Sequence, residues 1–507
     1  MNKKPAIGAL DFGASGARLY VATMDDLQID IEELHRFTYS PSRYWQTSLK
    51  YGAMTKRLCW SFDSMYRGLI EGLSRIAGRT DLQLVSFGID TWGSDGVWVN
   101  DSGDMLGLIG TGRDPRWVQA RDEVIAELGE EELFRQTGVR DDPFCVLNQL
   151  YWYVTKQPKL VGTAATYMPI NSLFHYLLCG QRVAEYTWMS TTQLASLTSI
   201  QYNEALFTRL NLPLEKMPPL VQPGTRLGKC HGELSASLGL APFEIIAPAT
   251  HDTASAYAAA PVRSNRKAVL ISSGTWSLIG IPCREPIVSN EAFEAGLSNI
   301  AGCENTYFQA IITGSWPAQE LQRLWSKEDG KQLTWEAFGE LASSAPPGQI
   351  ALDIDDSVFY APNNMEDAIV QFCQKTNQSL PADRADAARA VYEGLALRTA
   401  MACERMQEIS GYDADEIIIV SGGTRNDLLN QWIADASGLP VRTGSANATG
   451  LGNILVQAKA LGWVNSLAEG RELIRKAVAE KAYEPVVGER WQEGKAKLRG
   501  YRHESSC

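Results

Sequence analysis

The sequence predicts an α/β protein made of two domains. Apolar β-rich runs alternate with helical patterns over most of the chain, and this alternation is typical of α/β folds. A length of 507 residues exceeds that of one ordinary domain. A strand–turn–strand pattern at 7–22 returns at 268–280, which favours an internal duplication with a phosphate-binding hairpin in each half.

Composition and charge exclude several classes of protein. Hydrophobic residues make up 45% and charged residues 21%, as in soluble globular proteins and unlike disordered or fibrous chains. The 47 Lys and Arg against 59 Asp and Glu give a formal charge of −12. Non-specific nucleic-acid binding needs a basic surface, so we expect no nucleic-acid partner.

Two further features predict a cytoplasmic protein without a membrane partner. No apolar run approaches the ~18 residues that a membrane span needs, and the first residues lead directly into a strand without a signal peptide. The nine cysteines are scattered and contain no C-x-x-C pair. We therefore expect reduced thiols, most of them buried.

The first strand–turn–strand segment carries the stretch Asp11-Phe12-Gly13-Ala14-Ser15-Gly16-Ala17-Arg18. Small residues between two strands let a phosphate approach the backbone N–H groups, and Asp11 can hold hydrated Mg²⁺ through water. The alternative is a tight hairpin in which Asp11 bonds its own turn.

A strand over 84–90 ends in Ile89-Asp90-Thr91-Trp92-Gly93, and Gly112-Arg113-Asp114-Pro115-Arg116 follows downstream. A carboxylate, an aromatic ring and a glycine at a strand end suit a polyhydroxylated ligand. Charged side chains can bond its hydroxyls in bidentate fashion. A structural tryptophan with a solvated Arg–Asp pair is the alternative.

The stretch Ala249-Thr250-His251-Asp252-Thr253-Ala254-Ser255-Ala256 precedes a helix of small residues. Asp252 can act as a general base toward an alcohol. A multi-histidine metal site is disfavoured, because none of the five histidines has i,i+4 spacing. Alternatively, Asp252 only caps the helix.

The second half repeats the strand–turn–strand pattern after a connection at 260–265. Ser272-Ser273-Gly274-Thr275 and Gly422-Gly423-Thr424-Arg425-Asn426 offer hydroxyls and glycines from two separate turns, which suit the two ends of a nucleotide. An ordinary β–α turn is the alternative for the second stretch. Between them, a helix over 383–409 is predicted with Asp383 as its cap, before a strand at 416–420 and a helix at 427–437.

Taken in order, these stretches resemble the FGGY family of carbohydrate kinases, and within it the rhamnulokinase group. The matching residues run over 11–15, 89–93, 174–180, 185–187, 190–194, 251–256, 272–278, 422–426 and 451–453. They span nearly the whole chain, and the stretches 251–256 and 272–278 are the most specific.

The resemblance implies two actin-like ATPase domains with an RNase H-like core and an active-site cleft between them. It implies an N-terminal domain over 1–262, a C-terminal nucleotide-binding domain over 263–483 and a tail over 484–507, expected to be a solvated helix or a disordered end. The implied reaction is Mg²⁺-dependent transfer of the γ-phosphoryl group of ATP to a hydroxyl of a ketose. The expected partners are this sugar and ATP, and the expected assembly is a monomer or a homodimer.

The resemblance also implies roles for individual residues. Asp252 falls on the proton acceptor. The implied ATP contacts are Asp11, Gly13, Ala14, Ser15, Gly16, Ala17, Arg18, Gly274, Thr275, Gln319, Gly422, Gly423 and Asn426. The implied sugar contacts are Asp90, Trp92, Gly93, His251, Asp252 and Thr253.

Two departures from the family pattern bear on the sugar. Asn299-Ile300-Ala301-Gly302 stands where Asn-Glu-Gly-Gly is usual, and Ile311 stands where a sugar-contacting Asn is expected. A site that bonds a hydroxyl discriminates strongly through that bond. We expect a 6-deoxyketohexose of the rhamnulose or fuculose type, with another ketose such as a pentulose as the alternative. A sugar-independent actin-like ATPase and a metal-dependent phosphohydrolase using His251 and Asp252 are the alternatives from other classes.

Overall fold

The structure is a computed structural model that describes residues 3–24, 28–47, 54–360 and 362–504. Its strands are β1 Lys4–Phe12, β2 Gly16–Met24, β3 Ile29–Thr38, β4 Ser42–Thr47, β5 Met54–Cys59, β6 Leu82–Thr91, β7 Gly96–Val99, β8 Thr166–Pro169, β9 Ala184–Glu185, β10 Leu220–Val221, β11 Thr225–Lys229, β12 Glu244–Ala247, β13 Ala268–Ser273, β14 Trp276–Cys283, β15 Ser298–Ala301, β16 Thr306–Thr313, β17 Glu416–Val420, β18 Val441–Thr443 and β19 Ala482–Tyr483.

The helices alternate with these strands. They are α1 Phe62–Ala77, α2 Arg116–Leu128, α3 Glu130–Thr137, α4 Val146–Lys156, α5 Pro158–Thr163, α6 Ile170–Cys179, α7 Tyr186–Met189, α8 Glu204–Arg209, α9 Gly232–Ser237, α10 Asp252–Ala258, α11 Asn290–Glu294, α12 Trp316–Glu328, α13 Trp335–Ser344, α14 Met365–Lys375, α15 Arg384–Ser410, α16 Asp427–Ser437, α17 Ala448–Leu461, α18 Leu467–Ala477 and α19 Glu489–Glu504.

The chain forms two compact units. Unit 1 comprises Met1–Ala259, Pro282–Phe308 and Ala448–Ala477, and unit 2 comprises Ala260–Ile281, Gln309–Asn447 and Val478–Cys507. The chain first passes from unit 1 to unit 2 between Ala259 and Ala260, close to the predicted boundary at 262. The predicted ranges 1–262, 263–483 and 484–507 nevertheless do not coincide with the units, because helices α17 and α18 belong to unit 1 although they follow most of unit 2 in the chain.

Unit 1 is built on a six-stranded sheet in the order β11-β12-β6-β1-β2-β3. β1 pairs antiparallel with β2, as the predicted hairpin requires, and parallel with β6. Residues Ala6–Leu10 of β1 are buried at every position, as expected for a strand with both faces covered. Helices α6 and α17 pack against the neighbouring strand β6.

The second sheet has seven strands in the order β15-β16-β14-β13-β17-β18-β19, and its strands in unit 2 repeat this arrangement. β13 pairs antiparallel with β14 and parallel with β17, as β1 does with β2 and β6. The next strands also correspond, since β18 is parallel to β17 and antiparallel to β19, as β12 is to β6 and β11. The predicted internal duplication of the hairpin is therefore confirmed as a duplication of topology.

The longest helix, α15, begins and ends where its sequence predicts. The Asp383 carboxylate accepts hydrogen bonds from the N–H groups of Ala385 and Asp386, and Gly411 ends the helix with φ 66°. An acceptor side chain satisfies the first free N–H groups, and glycine adopts the left-handed conformation without steric cost.

In its described residues the C-terminal tail contains a packed helix, α19, and is neither disordered nor fully solvated. Trp491 and Leu498 on α19 are 3% and 1% exposed. The buried Lys495 ammonium donates to Glu404 and to the Ala436 carbonyl. The expectation of a solvated tail overlooked these apolar positions, whose spacing of seven residues places them on one helix face.

Candidate active site

Two aspartates stand side by side at the ends of neighbouring strands in unit 1. Asp11 on β1 and Asp90 on β6 are direct partners in the parallel pairing of these strands. Parallel strands end at the same edge of a sheet, so both carboxylates lie at that edge. Asp11 is half-buried, whereas Asp90 has no exposed surface. Asp90 thus lies beneath the accessible surface, a position that favours support of Asp11 over direct contact with a sugar.

The proximity of three acidic groups shifts the pKa values of the two aspartates. Burial and the negative charge of Asp252 raise the pKa of Asp11 to about 7, although the guanidinium of Arg18 opposes this. Burial and the charge of Asp11 raise the pKa of Asp90 well above its usual range. Moreover, Oδ1 of Asp90 has no hydrogen-bond partner among the described residues. The edge of the sheet therefore concentrates negative charge that a cation would stabilise.

The turn between β1 and β2 follows Asp11 and is open to solvent. Ala14 and Ser15 are exposed, whereas the methyl group of Ala17 is buried in the core. The N–H of Gly13 bonds the carbonyl of Gly16 at 2.9 Å, and Tyr39 donates to the Gly13 carbonyl. These two hydrogen bonds fix the turn while Ala14 and Ser15 stay open to solvent. Ala17 could contact a ligand only through its backbone, because its methyl group is buried.

Asp252 is the first residue of α10, next to the end of β6. The N–H of Thr91 donates to the Thr250 carbonyl at 2.9 Å, which joins the two segments. Oδ1 of Asp252 accepts from the N–H of Thr253 at 2.6 Å and from its hydroxyl at 3.1 Å. The carboxylate therefore bonds the residue that follows it, but it does not cap the helix as the alternative expects, because His251 is the N-cap and no side chain accepts a capping hydrogen bond there. The side chain of Asp252 is nevertheless 32% exposed, so a ligand can reach it.

His251 and Gly93 lie in close contact within unit 1. A Cβ atom at Gly93 would lie 3.0 Å from the imidazole of His251 and 3.0 Å from Oγ1 of Thr191. Burial lowers the pKa of His251, whose Nδ1 has no partner in the described residues. The ring edge that carries Nε2 faces Gly93 and lies 3.5 Å from Oδ1 of Asp252, and a side chain at position 93 would press on this ring.

Trp92 is held by a buried carboxylate that sequence reasoning missed. Oδ2 of Asp95 accepts from the indole N–H of Trp60 at 2.7 Å and from that of Trp92 at 3.0 Å, and the two indoles lie 4.2 Å apart. Asp95 has φ 78°, a conformation that is uncommon outside glycine, although aspartate and asparagine adopt it more often than other residues. Its single signal in the sequence is its place shortly after a strand end.

Asp90 also has a partner that the sequence does not indicate. Nδ2 of Asn453 on α17 donates to Oδ2 of Asp90 at 2.6 Å. Gln457, one helical turn later, donates to Oδ1 of Asn453 and accepts from Ser86. All of these side chains are fully buried, so a polar network fixes Asp90 from the helix side.

The charged stretch downstream of Gly93 is structural. Asp114 is 1% exposed and binds the guanidinium groups of Arg57 and Arg116 at 2.9 and 2.8 Å. Arg116 in turn stacks on Trp117 and Trp152. The predicted Arg–Asp pair exists but is buried rather than solvated, and its carboxylate is already fully engaged.

In unit 2, the turn between β13 and β14 brings several of the predicted ATP contacts together. Gly274 and Thr275 are exposed, and the Thr275 hydroxyl donates to Gln319 on α12 at 3.4 Å. The turn is anchored at Gly274, whose carbonyl accepts from the N–H and the hydroxyl of Ser315. A Cβ at Gly314 would lie 2.5 Å from this carbonyl, so glycine is required there.

The glycine turn after β17 lies against the same hairpin. A Cβ at Gly423 would lie 2.3 Å from Oγ of Ser273, whereas Gly422 is exposed. Oδ1 of Asn426 accepts from the N–H of Leu429 at 3.1 Å and caps α16. The structure gives Asn426 a capping role, and its contact with nucleotide stays a prediction.

Asp11 fits a hydrated Mg²⁺ ion better than a site built of several protein ligands. Within the described residues, no group of three or more His, Cys, Asp or Glu side chains forms a metal site. Mg²⁺ accepts one or two carboxylates and completes its shell with water and phosphate oxygens, so Asp11, with its excess negative surroundings, fits such an ion. In the same part of the chain, no helix has the length and apolar character of a membrane span.

Family models match both halves of the chain. The model for the N-terminal domain of the FGGY family of carbohydrate kinases matches residues 6–258, and the model for the C-terminal domain matches residues 269–461. Curated relatives match almost end to end. The chain is 31% identical over 482 residues to a rhamnulokinase of Oceanobacillus iheyensis, covering 95% of this chain and 98% of the relative. It is 33% identical over 482 residues to a rhamnulokinase of Pectobacterium carotovorum, covering 94% and 93%.

Solved structures show the same fold at lower identity. Glycerol kinase of Plasmodium falciparum with ADP has a TM-score of 0.78 at 14% identity and covers 99% of both chains. Xylulose kinase of Lactobacillus acidophilus has a TM-score of 0.77 at 15% identity and covers 99% of this chain and 98% of that one. These likenesses confirm the predicted two-domain, actin-like α/β fold.

Proposed function

The chain belongs to the FGGY family of carbohydrate kinases and is an ATP-dependent sugar kinase, and we propose that its acceptor is L-rhamnulose or a closely related 6-deoxyketohexose. Curated relatives that match over almost the whole chain are rhamnulokinases, which supports this acceptor class. The main observation in favour of the reaction is the acidic cluster of Asp11, Asp90 and Asp252, in which each charge acts on its neighbours.

Asp252 is proposed as the proton acceptor. The hydrogen bonds that the described residues make to its carboxylate all reach Oδ1, which leaves Oδ2 for the sugar hydroxyl. As the proton passes to this carboxylate, the hydroxyl oxygen forms a bond to the γ-phosphorus and ADP leaves. Since phosphoryl transfer has a loose transition state, orientation of the hydroxyl contributes more than strong basicity.

The sugar is proposed to contact Trp92, Gly93 and His251, with Thr253 holding Asp252. The absence of a side chain at Gly93 lets its backbone lie close to the imidazole of His251, where even a Cβ atom would be 3.0 Å from the ring. Nε2 of this ring, which lies 3.5 Å from Oδ1 of Asp252, is proposed to form a hydrogen bond with one hydroxyl. A site of this kind recognises substrates through polar groups that must be paired.

The nucleotide is proposed to bind the exposed turns of both hairpins. The open N–H groups near Ala14 and Ser15 and those near Gly274 and Thr275 suit phosphate oxygens, with Arg18 as the nearby cation. Gln319, Gly422 and Gly423 are proposed to contact the rest of the nucleotide. Mg²⁺, held through water by Asp11, would neutralise the charge of the β- and γ-phosphates.

Location and assembly are proposed from the same observations. We expect the enzyme to work in the cytoplasm, where ATP is supplied, and the free thiols of the described cysteines suit such a reducing compartment. A monomer or a homodimer is expected.

A coupled ADP-release assay over a panel of ketoses tests the proposed acceptor. We expect ADP release to depend on sugar and to be fastest with L-rhamnulose or L-fuculose. A preference for a pentulose would contradict the proposed acceptor and would agree with the replacement of an expected Asn by Ile311, which is half-buried on β16. Release that ignores all sugars would contradict a sugar kinase.

Asp252→Asn tests the proposed base. The amide keeps the shape of the side chain but accepts no proton, so kcat should fall by at least ~10²-fold while the affinity for ATP is retained. Asp101→Asn, at an exposed aspartate of unit 1, is the matched control and should leave kcat unchanged. Turnover of Asp252→Asn close to that of the wild type would remove Asp252 from this role.

A further inference from the structure

Glu185 is a buried carboxylate to which the reaction described above gives no task. It is 2% exposed and ends the short strand β9. In the described residues it forms no ion pair, and its charge is compensated by hydrogen bonds alone. Burial of a charge without a cation costs free energy. The hydrogen bonds of Glu185 therefore indicate what this carboxylate contributes.

The bonds of Glu185 join two segments that are 65 residues apart. Oε1 accepts from the N–H of Thr187 at 2.7 Å, and Oε2 accepts from the hydroxyl of Thr187 at 2.5 Å. Oε2 also accepts from both the N–H and the hydroxyl of Thr250 at 2.8 Å. Thr250 stands two residues before Asp252, so the carboxylate fixes the segment that leads into α10.

Neighbouring groups strengthen this attachment. Thr187 accepts from the N–H of His251 at 3.4 Å, and Asn171 donates to the hydroxyl of Thr250. Both threonines are fully buried. The backbone of residues 250 and 251 therefore has little freedom to rotate, and this backbone determines where the carboxylate of Asp252 points.

The same segment also holds the proposed sugar side of the site. The indole N–H of Trp188 donates to the carbonyl of Trp92 at 2.7 Å, and the hydroxyl of Thr191 donates to the carbonyl of Gly93 at 2.8 Å. Residues 185–191 thus bond both Trp92–Gly93 and Thr250–His251. One short segment therefore sets the distance between the Trp92–Gly93 side of the site and Asp252, which must approach the same sugar hydroxyl.

We propose that Glu185 is a positioning residue for phosphoryl transfer, which orients Asp252 through its bonds to Thr250. This inference rests on the proposed function, because it assumes that Asp252 is the proton acceptor. Glu185 itself touches neither substrate nor the reacting atoms.

The test is Glu185→Gln, measured alone and in the Asp252→Asn background. The amide nitrogen cannot accept, so at least one of the four bonds is lost. A misplacement of about 1 Å costs about 10²-fold in rate, and we expect kcat to fall by ~10- to 10²-fold with KM for ATP unchanged. In the Asp252→Asn background, Glu185→Gln should cause no further fall, because the group through which it acts is already disabled.

Asn203→Ala is the matched control. Asn203 caps helix α8 in the same unit through the N–H of Leu206, as Glu185 caps α7 through the N–H of Thr187. Its loss therefore removes a comparable cap without a bond to Thr250. It should leave kcat unchanged. If Glu185→Gln does not fold, Thr250→Val removes one of the four bonds of Glu185, together with the bond from Asn171, and should give a smaller fall of kcat that also vanishes with Asp252→Asn.

Two outcomes would overturn the inference while the proposed function stands. One is wild-type kcat in Glu185→Gln, and the other is an equal fall in both backgrounds, which indicates a merely structural role. If Asp252→Asn itself turns over normally, the proposed proton acceptor fails and this inference fails with it. The two failures are thus told apart by the Asp252→Asn variant alone.

Discussion

Asp11 and Asp90 illustrate how single residues acquire unusual properties from their neighbours. Each is an ordinary strand-end aspartate in the sequence, but their strands pair in register. Because like charges within a buried environment disfavour ionisation, the cluster is strained without a cation or a proton. A residue that binds Mg²⁺ through water would gain from this, since the bound ion relieves the repulsion.

At this scale we predict that Asp11→Asn stabilises the protein in a pH-dependent way. The pKa of Asp11 is raised from 3.8 to about 7, so the wild-type protein loses stability as the pH rises from about 4 to about 7, where the folded state must give up this proton. Asn carries no such cost. The free energy of unfolding of the variant relative to the wild type should therefore grow, by on the order of 1 kcal/mol, between pH 5 and pH 8.

Thermal unfolding at these two pH values measures the effect. A gain of 1 kcal/mol corresponds to roughly 2–4 °C in Tm for a domain of 150–250 residues. Asp63→Asn, at an exposed aspartate in α1, serves as the control, and its Tm should differ from that of the wild type by the same amount at both pH values. The same result for Asp11→Asn would show that its carboxylate titrates normally.

At the scale of elements, helices α10 and α17 are in unusually close contact. α10 carries Asp252 and α17 carries Asn453, the partner of Asp90. A Cβ atom at Gly452 would lie 1.8 Å from the carbonyl oxygen of Ser255, so the two backbones touch where a side chain would separate them. Glycine is otherwise unfavourable within a helix, which indicates that close packing explains its presence here.

We predict that Gly452→Ala destabilises unit 1 and lowers kcat. The added methyl group forces α17 away from α10, and overpacking of this kind costs about 1–3 kcal/mol. Gly232→Ala in α9 is the matched control, because nothing lies within 4 Å of its would-be Cβ and it should stabilise by about 0.4–1 kcal/mol. Urea unfolding and ADP-release rates measure both variants; equal effects of the two would contradict the contact.

At the scale of the whole molecule, the two units share one topology but differ in the chemistry of their sheet edges. Unit 1 carries the three aspartates, whereas the corresponding turns of unit 2 carry hydroxyls and glycines with Gln319 on α12. The duplicated fold thus has an acidic sheet edge in unit 1 and a neutral sheet edge that can accept anions in unit 2. This division supports a sugar bound by unit 1 and a nucleotide that owes most of its contacts to unit 2.

Hydrogen exchange with single ligands tests this division. We predict that sugar alone slows exchange mainly in unit 1, at the end of β6 and in α10. ADP alone should slow exchange mainly in unit 2, at the turn of β13 and β14 and at 421–426. Buffer without ligand is the reference, and protection by ADP confined to unit 1 would contradict the assignment.

The sequence by itself determined the elements whose causes are local. The first hairpin, strand β17 and helix α15 follow from apolar patterning, an Asp cap and a terminal glycine, each of which acts within a few residues. The family resemblance was confirmed by the matches to both family models. The roles that it implies for individual residues stay predictions.

Only the tertiary structure decided the partners of the charged groups. Asn453 lies 363 residues from Asp90, and Thr250 lies 65 residues from Glu185. It also assigned α17 to unit 1 and packed α19 onto unit 2. Periodicity and capping depend on contacts within one segment, so they can be read from its residues. A hydrogen bond between distant segments depends on how the sheet and its helices pack, and this packing leaves no local pattern in the sequence.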